Sequence, residues 1–228
     1  MPVQDDVRER QMLQLFNLHV PRDRRRSDVD AHLRLDGTDL PFELKSTTSG
    51  SVSTVRDFGA DHIAKWRGKH WLFGFYDRSG TDLRYCCYGS PAAMAPWIEG
   101  KAAYVRPDQL LAGMAPEMLG QEHLTAILGA KDAYTLDDAR ALMKKHWSAA
   151  RYLEAQDLPG GYSPDRTVQI LRERCRYVIM RGSTLNNPHI EARYFVGWER
   201  IVEDHAARLR ALVRDYLVSA AATDDATA

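Results

Sequence analysis

Polar and apolar residues alternate strictly from Asp28 to Leu35. Val29, Ala31, Leu33 and Leu35 fall on one side, and Asp28, Asp30, His32 and Arg34 on the other. A period of two marks a half-buried strand. The Asp36-Gly37 pair that follows favours the left-handed backbone of a tight hairpin, and "LPFELKST" resumes as the returning strand. "KHWLFGFYD" and "LRYCCYG" read as two more deeply buried strands, separated by the turn "RSGTD". Upstream, Val7, Met12, Leu15, Phe16 and Val20 recur roughly at helical spacing. Between the strands, "VRDFGADHIAKWRG" predicts a helix that packs Phe58, Ile63 and Trp66.

From Pro116 to Arg176 the pattern is mostly helical. Thr135 is placed to cap one helix, and Ser163 another, with Pro164 in its first turn. "RYVIMRGS" is expected to return as a strand, and "TLNNPHIEARYF" to turn and extend. "WERIVEDHAARLRALVRDYLV" then forms an amphipathic helix with Leu209, Leu212, Val213 and Leu217 along one face, able either to cover the core or to dimerise. Strands before and after a helical block predict an α+β fold. The expectation is a single domain over 1–228: a mixed β-sheet flanked by helices, with a mostly helical insertion about 104–176. Inside that insertion, Leu142, Met143 and Trp147 are core candidates, while the basic residues of "MKKHWSAARY" are placed to touch phosphates.

A chain of 228 residues can bury one sizeable core. Its formal net charge of zero argues against a purely electrostatic nucleic-acid binder. A local basic face remains open, because Arg22, Arg24, Arg25 and Arg26 crowd into "PRDRRRSD". Three cysteines, two of them adjacent at Cys86 and Cys87, make no disulfide framework, and one of that pair is expected to pack inward. Zinc spacings and glycine-rich nucleotide fingerprints are both missing. No apolar run reaches membrane-spanning length, and "MPVQDDVRER" lacks a signal-peptide core, so a cytoplasmic protein without membrane contact is expected.

Candidate chemistry lies on the hairpin. Glu43 and Lys45, two apart on a strand, share one side, while Leu44 points into the core with Phe42. With the turn near Gly37, Glu43 lies across from about Asp30 to His32, which brings Asp30, and Asp28 as the alternative, beside it. Two carboxylates so close repel unless a cation lies between them, and Mg²⁺ favours carboxylate and water oxygens. A lysine beside such an ion can orient or deprotonate a water for attack on phosphorus. The bland alternative is an exposed cross-strand ion pair.

The hairpin ending in "FELKST" resembles the PD-(D/E)xK nuclease superfamily, and more closely the PvuII type of restriction endonuclease. The likeness continues in the same order through "VSTVRD", "HIAKWRGKHWLFGFY" and "LNNPHIEARYF", covering roughly 28–90 and 184–196. It implies that Glu43 and Lys45 take the second acidic and the lysine positions. The first acidic position falls on Asp30 by register from the turn, or on Asp28 by matching "SD" to the family's polar-Asp start. Asp28, Asp30 and Glu43 would be the Mg²⁺ ligands. Ser53 matches a base-contacting serine, Arg56 and Asp57 stand where the relative has base-reading histidines, and Asn186 and Asn187 match its paired asparagines. Arg suits guanine, Asn adenine, and Asp the cytosine amino group. Lys65 and Arg67 are placed to bind backbone phosphate. His62, His70, His123 and His189 have no partner identifiable from sequence, so satisfied or exposed histidines are expected.

What the resemblance implies is a type II restriction endonuclease: a homodimer on double-stranded DNA at a short palindromic site, with a cognate DNA methyltransferase as genetic partner. The segment before the acidic strand is short for that family, and 104–176 has no counterpart in it. Two rivals stay open: a structure-selective or repair nuclease of the same superfamily, and a non-catalytic DNA-binding protein on a nuclease-like fold.

Overall fold

Asp36 and Gly37 both adopt positive φ, 48° and 85°, in the computed structural model, which describes residues 4–21 and 29–225. That backbone suits the twist of the two strands it joins. In chain order the elements are α1 (Gln4–Phe16), β1 (Ala31–Leu35), β2 (Thr38–Thr47), β3 (Val52–Ser53), α2 (Ala60–Trp66), β4 (His70–Tyr76), β5 (Leu83–Gly89) and α3 (Pro91–Met114). A 3-10 turn at Ala115–Met118 leads to α4 (Gln121–Leu128), α5 (Leu136–Met143), α6 (Ala149–Glu154) and α7 (Pro164–Gly182). The chain closes with β6 (His189–Ile190), a second 3-10 turn at Ala192–Phe195, and α8 (His205–Asp225). The fold is α+β. Among the described residues, no helix is long and apolar enough to cross a membrane.

Two compact units divide the chain: Met1–Ala102 with Leu185–Ala228, and Ala103–Thr184. The first holds a mixed four-stranded sheet in the order β1-β2-β4-β5. β1 and β2 form the antiparallel hairpin, and β4 and β5 are antiparallel too. β2 and β4 run parallel, with Glu43 beside Trp71 and Lys45 beside Phe73. A parallel pair needs a crossover, which β3 and α2 supply. Ala31, Leu33 and Leu35 pack with Phe42 and Leu44, against Met12 and Phe16 of α1 and Leu209 and Val213 of α8. The apolar face of α8 is therefore spent on the core, while Leu217 is exposed. Arg210 reinforces the docking by donating to the Phe16 carbonyl at 3.1 Å.

The second unit is helical around Leu124, Tyr134, Leu142, Met143, Tyr152, Tyr162 and Ile170, with Trp147 packed against them. Thr135 and Ser163 accept the backbone N–H of Asp138 and Arg166, capping α5 and α7. Tyr134 and Tyr162 exchange backbone hydrogen bonds of 2.9 Å.

Several expectations are corrected. "RYVIMRGS" is no strand, because α7 runs unbroken from Pro164 to Gly182. Nothing between Cys175 and Arg181 interrupts a capped helix, and Arg172 and Arg176, four apart, both reach Glu117. β6 does not rejoin the main sheet, but pairs with β3 in a separate two-stranded one. "ARYF" is a 3-10 turn. α1 ends at Phe16, so Val20 lies beyond it, and Val7 is exposed. Both Cys86 and Cys87 are buried. The arginine run Arg22 to Arg26 lies outside the described residues.

Candidate active site

β2 carries Glu43 and Lys45 on one side, as strand periodicity requires. Lys45 Nζ donates to Glu43 Oε1 at 2.6 Å and lies 3.8 Å from Asp30 Oδ2. Asp30 directly precedes β1, and its Oδ2 accepts the backbone N–H of Leu44 at 3.0 Å. Both carboxylates thus reach one ammonium group, and Asp30 is tied to the backbone of the neighbouring strand. Asp28, the alternative first acid, lies outside the described residues.

The site holds a second lysine that the sequence reading missed. Lys69 Nζ donates to Glu43 Oε2 at 2.9 Å. It comes from the turn joining α2 to β4, where Gly68 takes φ 77° and the Lys69 N–H reaches the Trp66 carbonyl at 3.3 Å. The parallel register then sets His70 beside Phe42, which puts Lys69 within reach of Glu43. Glu9 of α1 is a further acid missed from sequence. It borders a cavity of about 310 Å³ together with Asp30, Lys45, Ser46 and Ser53.

Burial dominates the electrostatics. It pushes the Asp30 carboxyl above its ordinary value, with Lys45 opposing and Glu43 adding to the rise. Glu43 is buried as deeply, yet Lys45 and Lys69 together hold its carboxyl below the ordinary value. Burial would pull the Lys45 ammonium down, but Glu43 and Asp30 hold it above the usual lysine range. Lys45 stays charged. Trp66 walls the cluster, its ring 5.9 Å from Lys45 Nζ and edge-on to Trp71 at 4.8 Å.

Two desolvated carboxylates facing one cation are a donor set that Mg²⁺ accepts, with water and phosphate oxygens completing its shell. Asp30 and Glu43 fit that role. Among the described residues there is no group of three or more His, Cys, Asp or Glu placed to hold a metal, so a closed cage of protein ligands is not built here.

The candidate reading segments, far apart in sequence, lie side by side. Ser53 pairs with His189 across β3 and β6, and their side chains approach to 3.1 Å between Oγ and Nδ1. Thr54 bonds the Pro188 carbonyl through both its N–H and its hydroxyl. Phe58 and Leu185 exchange backbone hydrogen bonds of 2.9 and 2.8 Å. This ribbon brings Ser53, Arg56, Asn186 and Asn187 together as exposed residues, with Asp57 half-buried. Asp57 and Asn187 take positive φ, 59° and 46°, a backbone that Asp and Asn tolerate better than most residues. Since Ser53 also borders the cavity of Asp30 and Lys45, the ribbon adjoins the acidic cluster.

Lys65 is exposed on α2. Arg67, expected to serve phosphate, is held by both carboxylate oxygens of Glu99 at 2.8 and 3.1 Å. The histidines do have partners: His70 Nδ1 lies 2.7 Å from the Tyr88 hydroxyl, His123 accepts the Gly120 N–H, and His62 stacks on Phe58. In "MKKHWSAARY", Trp147 packs on Tyr152 and under the Arg151 guanidinium. No protein-family model matches this chain, and no curated protein matches it.

Proposed function

We propose that this protein is a Mg²⁺-dependent type II restriction endonuclease of the PD-(D/E)xK superfamily, PvuII-like, acting as a homodimer at a short palindromic site in double-stranded DNA. One observation carries the reading: Asp30, directly before β1, and Glu43, on β2, both reach Lys45 Nζ in a cluster largely shut off from water. A surface ion pair would be far more exposed than this.

Asp30 and Glu43 would hold Mg²⁺, which supplies positive charge to the phosphate oxygens as the phosphorus is attacked. Lys45 remains an ammonium between its two acids, so its part is to align the attacking water and stabilise the nearby charge. A bond forms from the water oxygen to phosphorus as the water gives its proton to solvent, and the bond from phosphorus to the leaving oxygen breaks, that oxygen keeping the electron pair and taking a proton from solvent. Trp66 covers one side of the lysine, its ring 5.9 Å from Nζ. The exposed ribbon of Ser53, Arg56, Asn186 and Asn187 is suited to base edges, with Asp57 beside it, and Lys65 to phosphate. One such site cuts one strand, so a double-strand break calls for two copies. A site-specific cutter in its host also calls for a methyltransferase that protects the same sequence, and a cytoplasmic location follows from its target.

The test is digestion of a large phage DNA of known sequence with Mg²⁺, beside Lys45→Ala protein and an EDTA control. Discrete bands that vanish in both controls are expected. A smear would point to a structure-selective nuclease. No cutting, or cutting that survives Lys45→Ala, would sink the reading.

A further inference from the structure

Lys69 has no part in the chemistry just proposed, yet it is built into the centre of the cluster. Its ammonium holds Glu43 Oε2 while Lys45 holds Oε1, so each oxygen of Glu43 already carries a cation. The side chains of Lys69 and Glu43 are each 7% exposed, and those of Lys45 and Asp30 each 16%. Dehydrated charges persist only when paired, and here Asp30 and Glu43 face two lysines, with Glu9 a further acid at the same cavity.

The second lysine has a consequence for a divalent cation. Without Lys69 the cluster would carry one more unit of net negative charge, which draws a cation in. With it, a cation finds less negative charge in a water-poor site and meets an ammonium already bound to one of its two carboxylates. Like charges a few ångström apart in such surroundings repel by many times RT. Lys69 is confined by the burial of its side chain, on a backbone set by the Gly68 turn and the β2–β4 register. Phosphate from DNA would supply the missing negative charge, so cation and DNA would load together.

We propose that Lys69 is a positioning residue, a resident counter-ion of Glu43 that orients the carboxylate and weakens the free protein's hold on a divalent cation. The inference rests on Asp30 and Glu43 being the metal carboxylates.

The experiment is titration of the full chain with Mn²⁺, without DNA, reading free Mn²⁺ by electron paramagnetic resonance. Wild type is compared with Lys69→Met, Lys69→Arg and, as a site control, Glu43→Gln, with circular dichroism melts to establish folding. Lys69→Met should bind Mn²⁺ at least about tenfold more tightly than wild type. Lys69→Arg, which keeps the charge, should stay near wild type. A purely structural lysine would not produce that split. If Lys69→Met does not fold, Lys69→Gln, which keeps a donor for Glu43 without the charge, takes its place. Unchanged or weaker affinity in a folded, uncharged variant overturns the proposal. Mn²⁺ binding that is insensitive to Glu43→Gln in every protein overturns the metal reading as well, which separates the two failures.

Discussion

The backbone N–H of Leu44 donates to Asp30 Oδ2 at 3.0 Å, so the acid that precedes β1 is fastened to the strand that carries Glu43 and Lys45. This bond aims the carboxylate at Lys45 independently of any ion pair. Asp30→Ala leaves that N–H without its acceptor and should cost about 1–3 kcal/mol in urea denaturation without metal. Asp30→Asn keeps an acceptor in place and should stay within about 1 kcal/mol of wild type. Both should lose DNA cleavage. Equal stability of the two variants would show that the bond is not what holds Asp30.

Glu43 balances two buried ammonium groups; Glu43→Gln strands Lys69 and leaves Lys45 with Asp30 at 3.8 Å. Breaking a buried pair from one side costs about 3–5 kcal/mol. Denaturant unfolding of Glu43→Gln should show a loss of that size. Adding Lys69→Met in the same background should recover part of it, since one orphaned charge is then removed. A double variant no more stable than Glu43→Gln alone would contradict the coupling.

His70 is buried against Phe42 and Tyr88, and burial pulls its imidazole down to about 4. Its ordinary value is 6.5, so between the two the unfolded chain takes up a proton that the folded protein refuses. Stability is then full above pH 6.5 and falls as pH drops toward 4. A shift of this size is worth about 3 kcal/mol across that window. The difference between wild type and His70→Gln, followed by denaturation from pH 7 to pH 4, should isolate the slope. Parallel curves would mean that His70 is protonated in the folded state.

Exposed Asn187 and exposed Lys65 should behave differently toward DNA. Asn187→Ala should relax preference at one position of the site, at about 1–3 kcal/mol of discrimination. Lys65→Ala should weaken all sequences alike and lower the salt dependence. Selection of cleaved duplexes from a randomised pool, repeated at two salt concentrations, separates these effects. Relaxed preference in Lys65→Ala would reverse the assignment.

Local patterns were legible wherever they were complete within a few residues. Alternation from Ala31 to Leu35, the Asp36-Gly37 turn and the Ser163 cap each fold as their own chemistry dictates, while Val29 and Asp30 lie before the strand. α3 carries Pro96, Gly100 and Pro107, residues that disfavour a helix interior. It forms nonetheless, with both prolines exposed and Met94, Trp97, Ile98, Val105 and Ala112 buried at helical spacing. Continuous burial of one face outweighs the hydrogen bonds that proline removes.

By itself, the sequence determined that Glu43 and Lys45 share a strand face and that an acid lies across a tight hairpin from them. Period-two geometry and turn conformation are properties of neighbouring residues. The tertiary structure decided which further groups join them. Lys69 meets Glu43 across 26 residues through a parallel register, and Ser53 meets His189 across 136 through an antiparallel one. Register between distant strands is set by how whole faces pack, so no short stretch of sequence encodes it.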